Sequence, residues 1–357
     1  MDRIQKVQKL VGELGLQALV VDHVVNLYYL TGMELSLGRL VIQPDAATLF
    51  VDGRYFEGCR KKGTCEVLLT SGYDLKSPFG VWMHRLQQKR VGFDEQTTSY
   101  SEYSLLNTLG VDLVPVKNPV GRLREIKDPV EREALRQAAA LGSSGMDYVI
   151  NHLQEGITEK ELARALEIFW LNAGGDKLGF TPIVAFGENS AEPHYRVSER
   201  KLKRGDLVLI DIGVVLKHYH SDMTRVVAFG EPHEELQKIY QIVYHASTEA
   251  TRLCRPGSKI GDVDQAARGF IKDAGYGDYF IHSLGHGVGL EIHESPRINS
   301  SGPDANRVLE SGMAITIEPG VYLPGIGGVR LEDTLLITEE GYENITCRPL
   351  SATLPVL

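Results

Sequence analysis

The sequence predicts an α+β protein of two domains, a smaller α/β domain over residues 1–125 and a larger, strand-rich domain over residues 126–357. Three observations lead there. The length of 357 residues exceeds the usual range of one domain. Short β-branched runs alternate with helix-compatible stretches through the first third of the chain. A compact helix-start signal then stands at Ile126-Lys-Asp128-Pro129-Val-Glu131, and strand patterns dominate from residue 180 onwards.

In order, residues 2–14 place Ile4, Val7, Leu10 and Val11 at helical spacing. Ala18-Leu-Val-Val-Asp22 follows Gly15 as a short strand, and Tyr28-Tyr29-Leu30-Thr31-Gly32 reads as a turn. Leu40-Val-Ile42 and Ala47-Thr-Leu-Phe-Val51 read as two strands joined through Pro44-Asp45. Val67-Leu-Leu-Thr70, Arg90-Val-Gly-Phe93 and Val111-Asp-Leu-Val114 read as further strands. Past the boundary, Asp128 caps a helix with Pro129 in its first position and Glu131 as its box partner. A second box, Thr158-Glu-Lys-Glu161, starts a helix with Leu162, Leu166 and Trp170 inward, and Gly174-Gly175 stops it. Two long helices are expected between about residues 232 and 274, and strands again through 314–338.

Composition narrows the function. With 43% hydrophobic and 24% charged residues, the chain has the make-up of a soluble globular protein. A net charge of -9 offers no basic footprint for nucleic acid or an anionic membrane, and the local cluster Arg196–Arg204 reads as a solvated turn. Cys59, Cys65, Cys254 and Cys347 are scattered without a CxxC pair, so reduced thiols are expected. The N-terminus lacks a signal-peptide pattern, and no apolar run approaches the roughly 20 residues that span a bilayer. A cytoplasmic protein is the expectation.

Four segments carry chemistry. Leu207-Val-Leu-Ile-Asp211 ends an apolar run on a carboxylate, whose desolvation needs a cation or hydrogen-bond donors, Arg225 among the candidates. Asp222 follows 11 residues later, and folding Val214–His218 into a hairpin would aim both acids at one point. Ser283-Leu-Gly285-His286-Gly287-Val-Gly289 frames a histidine with glycines that permit close backbone approach; a satisfied core histidine would show the same pattern. Ala314-Ile-Thr-Ile-Glu318 again closes an apolar strand on an acid. In Gly327-Gly-Val-Arg330-Leu-Glu332-Asp333, alternation sets Arg330, Glu332 and Thr334 on one face and Val329, Leu331 and Asp333 on the other. Ile292-His293-Glu294-Ser-Pro296-Arg297 is not HExxH, because Arg297 stands at the second histidine's place. Three acids in apolar strands with one glycine-framed histidine favour a metal centre over unrelated core polar groups.

These residues resemble the pita-bread metallopeptidases, a family that includes methionine aminopeptidase, aminopeptidase P, prolidase and the non-metal creatinase. The resemblance rests on Asp211, Ser221-Asp222-Met-Thr-Arg225, Gly285-His286-Gly287, His293-Glu294, Glu318-Pro-Gly320 and Gly328-Val-Arg-Leu-Glu332-Asp333. It covers about residues 126–345, and residues 1–125 look like the N-terminal domain of the aminopeptidase P, prolidase and creatinase branch. It implies a pita-bread catalytic domain holding two divalent ions through Asp211, Asp222, His286, Glu318 and Glu332. Asp211 would chelate one ion, Asp222 and Glu332 would bridge both, and His286 and Glu318 would complete the shell of the second ion. Carboxylate-rich ligation with one imidazole suits Mn²⁺ first, with Co²⁺ or Zn²⁺ as substitutes. Glu318 would also shuttle a proton. The Gly187-Glu-Asn189-Ser-Ala-Glu-Pro193-His194 loop and His293 would serve the substrate carbonyl or its oxyanion.

The implied activity is removal of an N-terminal residue from Xaa-Pro peptides, a bond that needs a dedicated pocket because proline is conformationally restricted. Aminopeptidase P is the leading expectation and a dipeptide-restricted prolidase the alternative, with Arg297 as the group receiving a dipeptide carboxylate and Arg330, near Glu332, as a further substrate-binding residue. Relatives of this branch are often homodimers, so a dimer is expected too. A metal-free binding module or a creatinase-like hydrolase conflicts with the retention of all five ligand types, and methionine aminopeptidase with the extra domain over residues 1–125. Two departures stand out. Tyr195 follows His194 where many relatives have a small residue, which would narrow the pocket. His218 and His220 flank Tyr219 beside Asp222 and are expected to face away or toward solvent, a third metal site being the outside alternative.

Overall fold

A computed structural model describes residues 2–357. The chain divides into two compact units, Met1–Arg124 and Glu125–Leu357. In the first, Asp2 caps the helix Arg3–Glu13 in a capping box with Gln5, and Ile4, Val7 and Val11 are buried. A six-stranded sheet is built from β1 (Ala18–Val21), β2 (Arg39–Ile42), β3 (Ala47–Val51), β4 (Glu66–Leu69), β5 (Arg90–Asp94) and β6 (Asp112–Val116). Its order is β4-β3-β2-β1-β5-β6, with the expected hairpin β2–β3 antiparallel and β1, β5 and β6 parallel. Helices join the parallel strands, as such crossovers require. The segment Tyr28–Gly32 is not a free turn. It is the end of the helix Val24–Thr31, closed by Gly32 at φ 68° in the left-handed region. Burial of Leu27, Tyr29 and Leu30 favours the helix despite its β-branched start.

In the second unit, Asp128 and Thr158 cap the helices Pro129–Asn151 and Glu159–Asn172 through the expected boxes with Glu131 and Glu161. Leu162, Leu166 and Trp170 all face inward. The strands are β7 (Lys177–Leu178), β8 (Ile183–Phe186), β9 (Asp206–Ile212), β10 (Val214–Leu216), β11 (Tyr219–His220), β12 (Met223–Phe229), β13 (Gly285–Gly287), β14 (Glu294–Ile298), β15 (Ala314–Ile317), β16 (Gly320–Leu323), β17 (Gly327–Arg330), β18 (Asp333–Ile337) and β19 (Tyr342–Asn344). β9 lies between β12 and β8, and a five-stranded sheet runs β14-β13-β15-β18-β19. The helices Glu234–Arg252 and Ile260–Asp273 pack against each other and form one core with the strands from Ala314 to Ile337.

β9 explains why its sequence is almost continuously apolar. Leu207 and Leu209 enter the core shared with the helices over 234–273, while Val208, Ile210 and Ile212 enter the core under the helices over 129–172. A strand buried on both faces shows a hydrophobic run rather than alternation. No helix among the described residues is long and apolar enough to cross a membrane.

Candidate metal centre

The period of two along each strand assembles the site. Asp211 shares its face with Leu207 and Leu209, and Asp222 shares its side with Thr224 and Val226. β9 and β12 pair antiparallel over seven residues, with Asp211 opposite Thr224. Between them β10 and β11 form a tight hairpin whose turn residues, Lys217 and His218, have φ of 51° and 71°. The hairpin returns the chain so that Asp211 and Asp222 stand at one end of the same ladder. On the other sheet Ile315, Ile317, Leu335 and Ile337 face the core, so Thr316, Glu318, Glu332 and Thr334 point the opposite way. Glu332 meets Thr224 in an isolated bridge and accepts from its hydroxyl at 2.7 Å.

His286 arrives from β13. A Cβ on Gly285 would collide with Thr316 O and one on Gly287 with Ser295 O, so only glycine lets β13 fit between β14 and β15. The ring's Nδ1 lies 3.0 Å from Gly287 O, which assigns its proton there and leaves the Nε2 lone pair facing inward. Nε2 is 3.4 Å from Glu318 Oε1 and 3.6 Å from Asp222 Oδ2. Burial, with the nearby His293 charge, pushes the His286 pKa down to about 4, so the imidazole is neutral at pH 7.

The acids behave in the opposite sense. Burial first, then repulsion among Asp211, Asp222, Glu318 and Glu332, holds the carboxyls of Asp222 and Glu318 well above their ordinary range. The same causes raise Glu332 to about 8. Against these four carboxylates stand Arg330, which is ion-paired to Asp211 Oδ2, and Arg225, which acts on Glu332 but is itself paired with Asp333. Asp211 Oδ1 is buried without a partner. Ligand atoms of Asp222, His286 and Glu332 all lie within 4.8 Å of one another. An orphaned buried acceptor, an inward imidazole lone pair and uncompensated carboxylates form a donor set that fits divalent cations.

Arg330, expected beside Glu332 as a substrate-binding residue, has its guanidinium committed to protein partners. It is 3% exposed, and besides Asp211 it contacts Thr224 Oγ1 at 3.2 Å and Tyr322 OH at 2.7 Å. Tyr322 lies 2.9 Å from His282 Nε2, and His282 Nδ1 lies 2.8 Å from Ser283 O. The His282 Nδ1 proton thus goes to the carbonyl, and the Tyr322 hydroxyl donates to Nε2. Tyr322 and His282 escaped the sequence reading because nothing local marks their partners. Arg225, the partner considered for Asp211, instead binds Asp333 at 2.6 Å.

Around this centre His293 stacks edge-to-face on His286, with ring centroids 4.4 Å apart. Arg297 pairs directly with His286 across the β13–β14 ladder, so the two side chains share a face. Its Nε donates to Ser283 Oγ at 2.6 Å. His194 is exposed after the 3₁₀ turn Gly187–Ala191, and its charge disfavours protonation of His293 and His282. Tyr195 does not reach toward a pocket: its hydroxyl donates to the buried Glu159 at 2.8 Å. His220 faces neither solvent nor the acid cluster. It is buried, with Nδ1 3.2 Å from Gly289 O, whereas His218 occupies the hairpin turn.

Comparison with known proteins gives consistent matches over both units. The model of metallopeptidase family M24 matches residues 133–339, and that of the creatinase/prolidase N-terminal domain matches residues 3–126. The Xaa-Pro dipeptidase of Pyrococcus furiosus is 37% identical over 348 residues, covering 97% of each chain. The solved structure of the prolidase from Pyrococcus furiosus aligns with a TM-score of 0.88 over 96% of this chain and 100% of that one, at 37% identity. The X-Pro aminopeptidase from Thermotoga maritima aligns with a TM-score of 0.85 at 29% identity, over 99% of this chain and 100% of that one.

Proposed function

The chain belongs to metallopeptidase family M24, and from that premise we propose that it is a prolidase, hydrolysing Xaa-Pro dipeptides. The convergence of Asp222, His286 and Glu332 on one point, walled by Asp211 and Glu318, is the observation that carries the hydrolytic reading. We assign two ions to Asp211, Asp222, His286, Glu318 and Glu332, with Mn²⁺ ahead of Co²⁺ and Zn²⁺ for this oxygen-rich set. Divalent ions there would lower the pKa of water and polarise the scissile carbonyl.

The remaining roles belong to the chain. Glu318 carries a proton from the attacking water to the leaving proline nitrogen. His194 and His293 hydrogen-bond the substrate carbonyl and the oxyanion that replaces it. Arg297 receives the free carboxylate of the dipeptide: beyond its Nε bond to Ser283, its terminal nitrogens make no hydrogen bond among the described residues. Arg330 is reassigned from substrate binding to orienting Asp211. Residues 1–125 then act as the accessory domain and 126–357 as the catalytic one. We also propose a cytoplasmic homodimer, supported by four free cysteines and by the habit of the branch.

The leading expectation from sequence was aminopeptidase P. The relatives named as dipeptidases or prolidases, with Arg297 beside His286, support the dipeptide alternative better. The Mn²⁺-loaded protein should cleave Xaa-Pro dipeptides and leave Xaa-Pro-Yaa tripeptides nearly untouched. Arg297→Ala should raise KM for the dipeptide about tenfold, the scale of one charge-assisted hydrogen bond. Rapid tripeptide cleavage would return the assignment to aminopeptidase P.

A further inference from the structure

The segment carrying His194 is anchored on one buried carboxylate. Glu159 opens the helix Glu159–Asn172 and is 0% exposed, and no cationic side chain pairs with it among the described residues. Its charge is compensated by five donated hydrogen bonds and by the helix N-terminus. Oε1 accepts from Phe186 N at 2.8 Å and Asn189 Nδ2 at 2.9 Å. Oε2 accepts from Tyr195 OH at 2.8 Å, Ser198 N at 3.0 Å and Ser198 Oγ at 2.8 Å. One oxygen therefore holds the chain before His194 and the other holds it after.

His194 needs that support. Its imidazole is exposed and makes no hydrogen bond among the described residues, so its placement comes from its neighbours. Tyr195, beside it, also receives Asn189 Nδ2 on its hydroxyl at 2.6 Å, closing the loop on itself around the carboxylate. Ser190 Oγ accepts from Gly328 N at 2.8 Å, which ties the same loop to β17, two residues from Arg330. The tyrosine that departs from the smaller residue expected after His194 is thus part of the anchor.

We propose that Glu159 is a positioning residue for the reaction, stapling both ends of the loop 186–198 so that His194 is held where the substrate carbonyl lies. The proposal rests on the substrate role of His194 given above. A glutamine cannot replace Glu159, because Phe186 N and Ser198 N are backbone donors on different oxygens. An amide satisfies one and turns its own N–H₂ against the other.

The test is a double-mutant cycle on the metal-loaded enzyme with a Xaa-Pro dipeptide, using Glu159→Gln, His194→Ala and the pair. Misplacing a catalytic group by about 1 Å costs on the order of 100-fold, so Glu159→Gln should lower kcat/KM by roughly 10- to 100-fold, mainly through kcat. Metal content should be unchanged. In the His194→Ala background the same substitution should add less than about twofold, since residues acting through one group are not additive. Tyr195→Phe, which keeps the carboxylate, should give a smaller loss that also vanishes in that background, and it serves if Glu159→Gln fails to fold. Equal losses with and without His194 overturn the proposal, as does a silent Glu159→Gln beside a damaging His194→Ala. A silent His194→Ala instead removes the substrate role of His194 itself.

Discussion

The N-terminal unit buries Arg39 against Glu102, both 8–9% exposed in their side chains, with the guanidinium also donating to Gly38 O at 2.7 Å and lying 4.3 Å from the Tyr73 ring centroid. The C-terminal unit gathers Asp211, Asp222, Glu332 and the partly buried Glu318 around Arg330 and a neutral His286. In the first case charge is matched one to one, and the pair is complete as protein. In the second the acids outnumber the cations and force one another toward protonation, a cost that a purely structural site would not retain. Balance, rather than burial, separates an ion pair that holds a fold from a donor set suited to cations.

The contrast breaks most sharply at Asp222. Asp222→Ala should cut kcat/KM by at least about 10³-fold, about 4 kcal/mol of transition-state stabilisation, and lower bound metal measured by elemental analysis. Circular dichroism should stay unchanged, and full activity of a metal-stripped wild type would sink the mechanism. On the balanced side, Arg39→Ala leaves Glu102 buried alone and should cost about 3–5 kcal/mol in urea unfolding. Arg39→Met with Glu102→Leu should recover most of it, with metal content constant throughout; a neutral Arg39→Ala would mean the pair is not desolvated.

Proton linkage sharpens the same contrast. Asp222, Glu318 and Glu332 bind protons more tightly folded than unfolded, so their contribution to stability falls as pH rises toward the Glu332 value of about 8. His282 and His286, held down to about 4, work the other way, but only below the unfolded histidine value of about 6.5. Between about pH 6.5 and 8 the metal-stripped protein should therefore lose stability, by about 1.4 kcal/mol per pH unit for each proton released. Saturating Mn²⁺ should flatten the slope, which thermal melts across that window would reveal. The smallest effect belongs to Arg136 and Glu343, paired at 2.7 Å with side chains 39% and 40% exposed. Arg136→Ala should change stability by less than about 1 kcal/mol, and less still in high salt.

Much of this was legible in the chain itself. The capping boxes at Asp128 and Thr158 are local, because a cap is decided within four residues. The acids of β9, β15 and the β17–β18 stretch showed themselves by breaking apolar runs, since strand alternation fixes which face each side chain takes. The set of five, with Asp222 and His286 in it, came from the resemblance of the ordered motifs to the pita-bread metallopeptidases. What each polar group touches is another matter. Arg330 looked free for substrate, yet it closes on Asp211, 119 positions away. Tyr195 looked like an intruder in a pocket, yet it serves Glu159, 36 positions earlier. His220 looked peripheral, and burial against Gly289 made it internal. Periodicity, caps and motif order are short-range properties carried by neighbouring residues. Pairings across more than a hundred positions arise only when two sheets and their helices pack, and that packing turned separately plausible acids into one unbalanced, cation-seeking site.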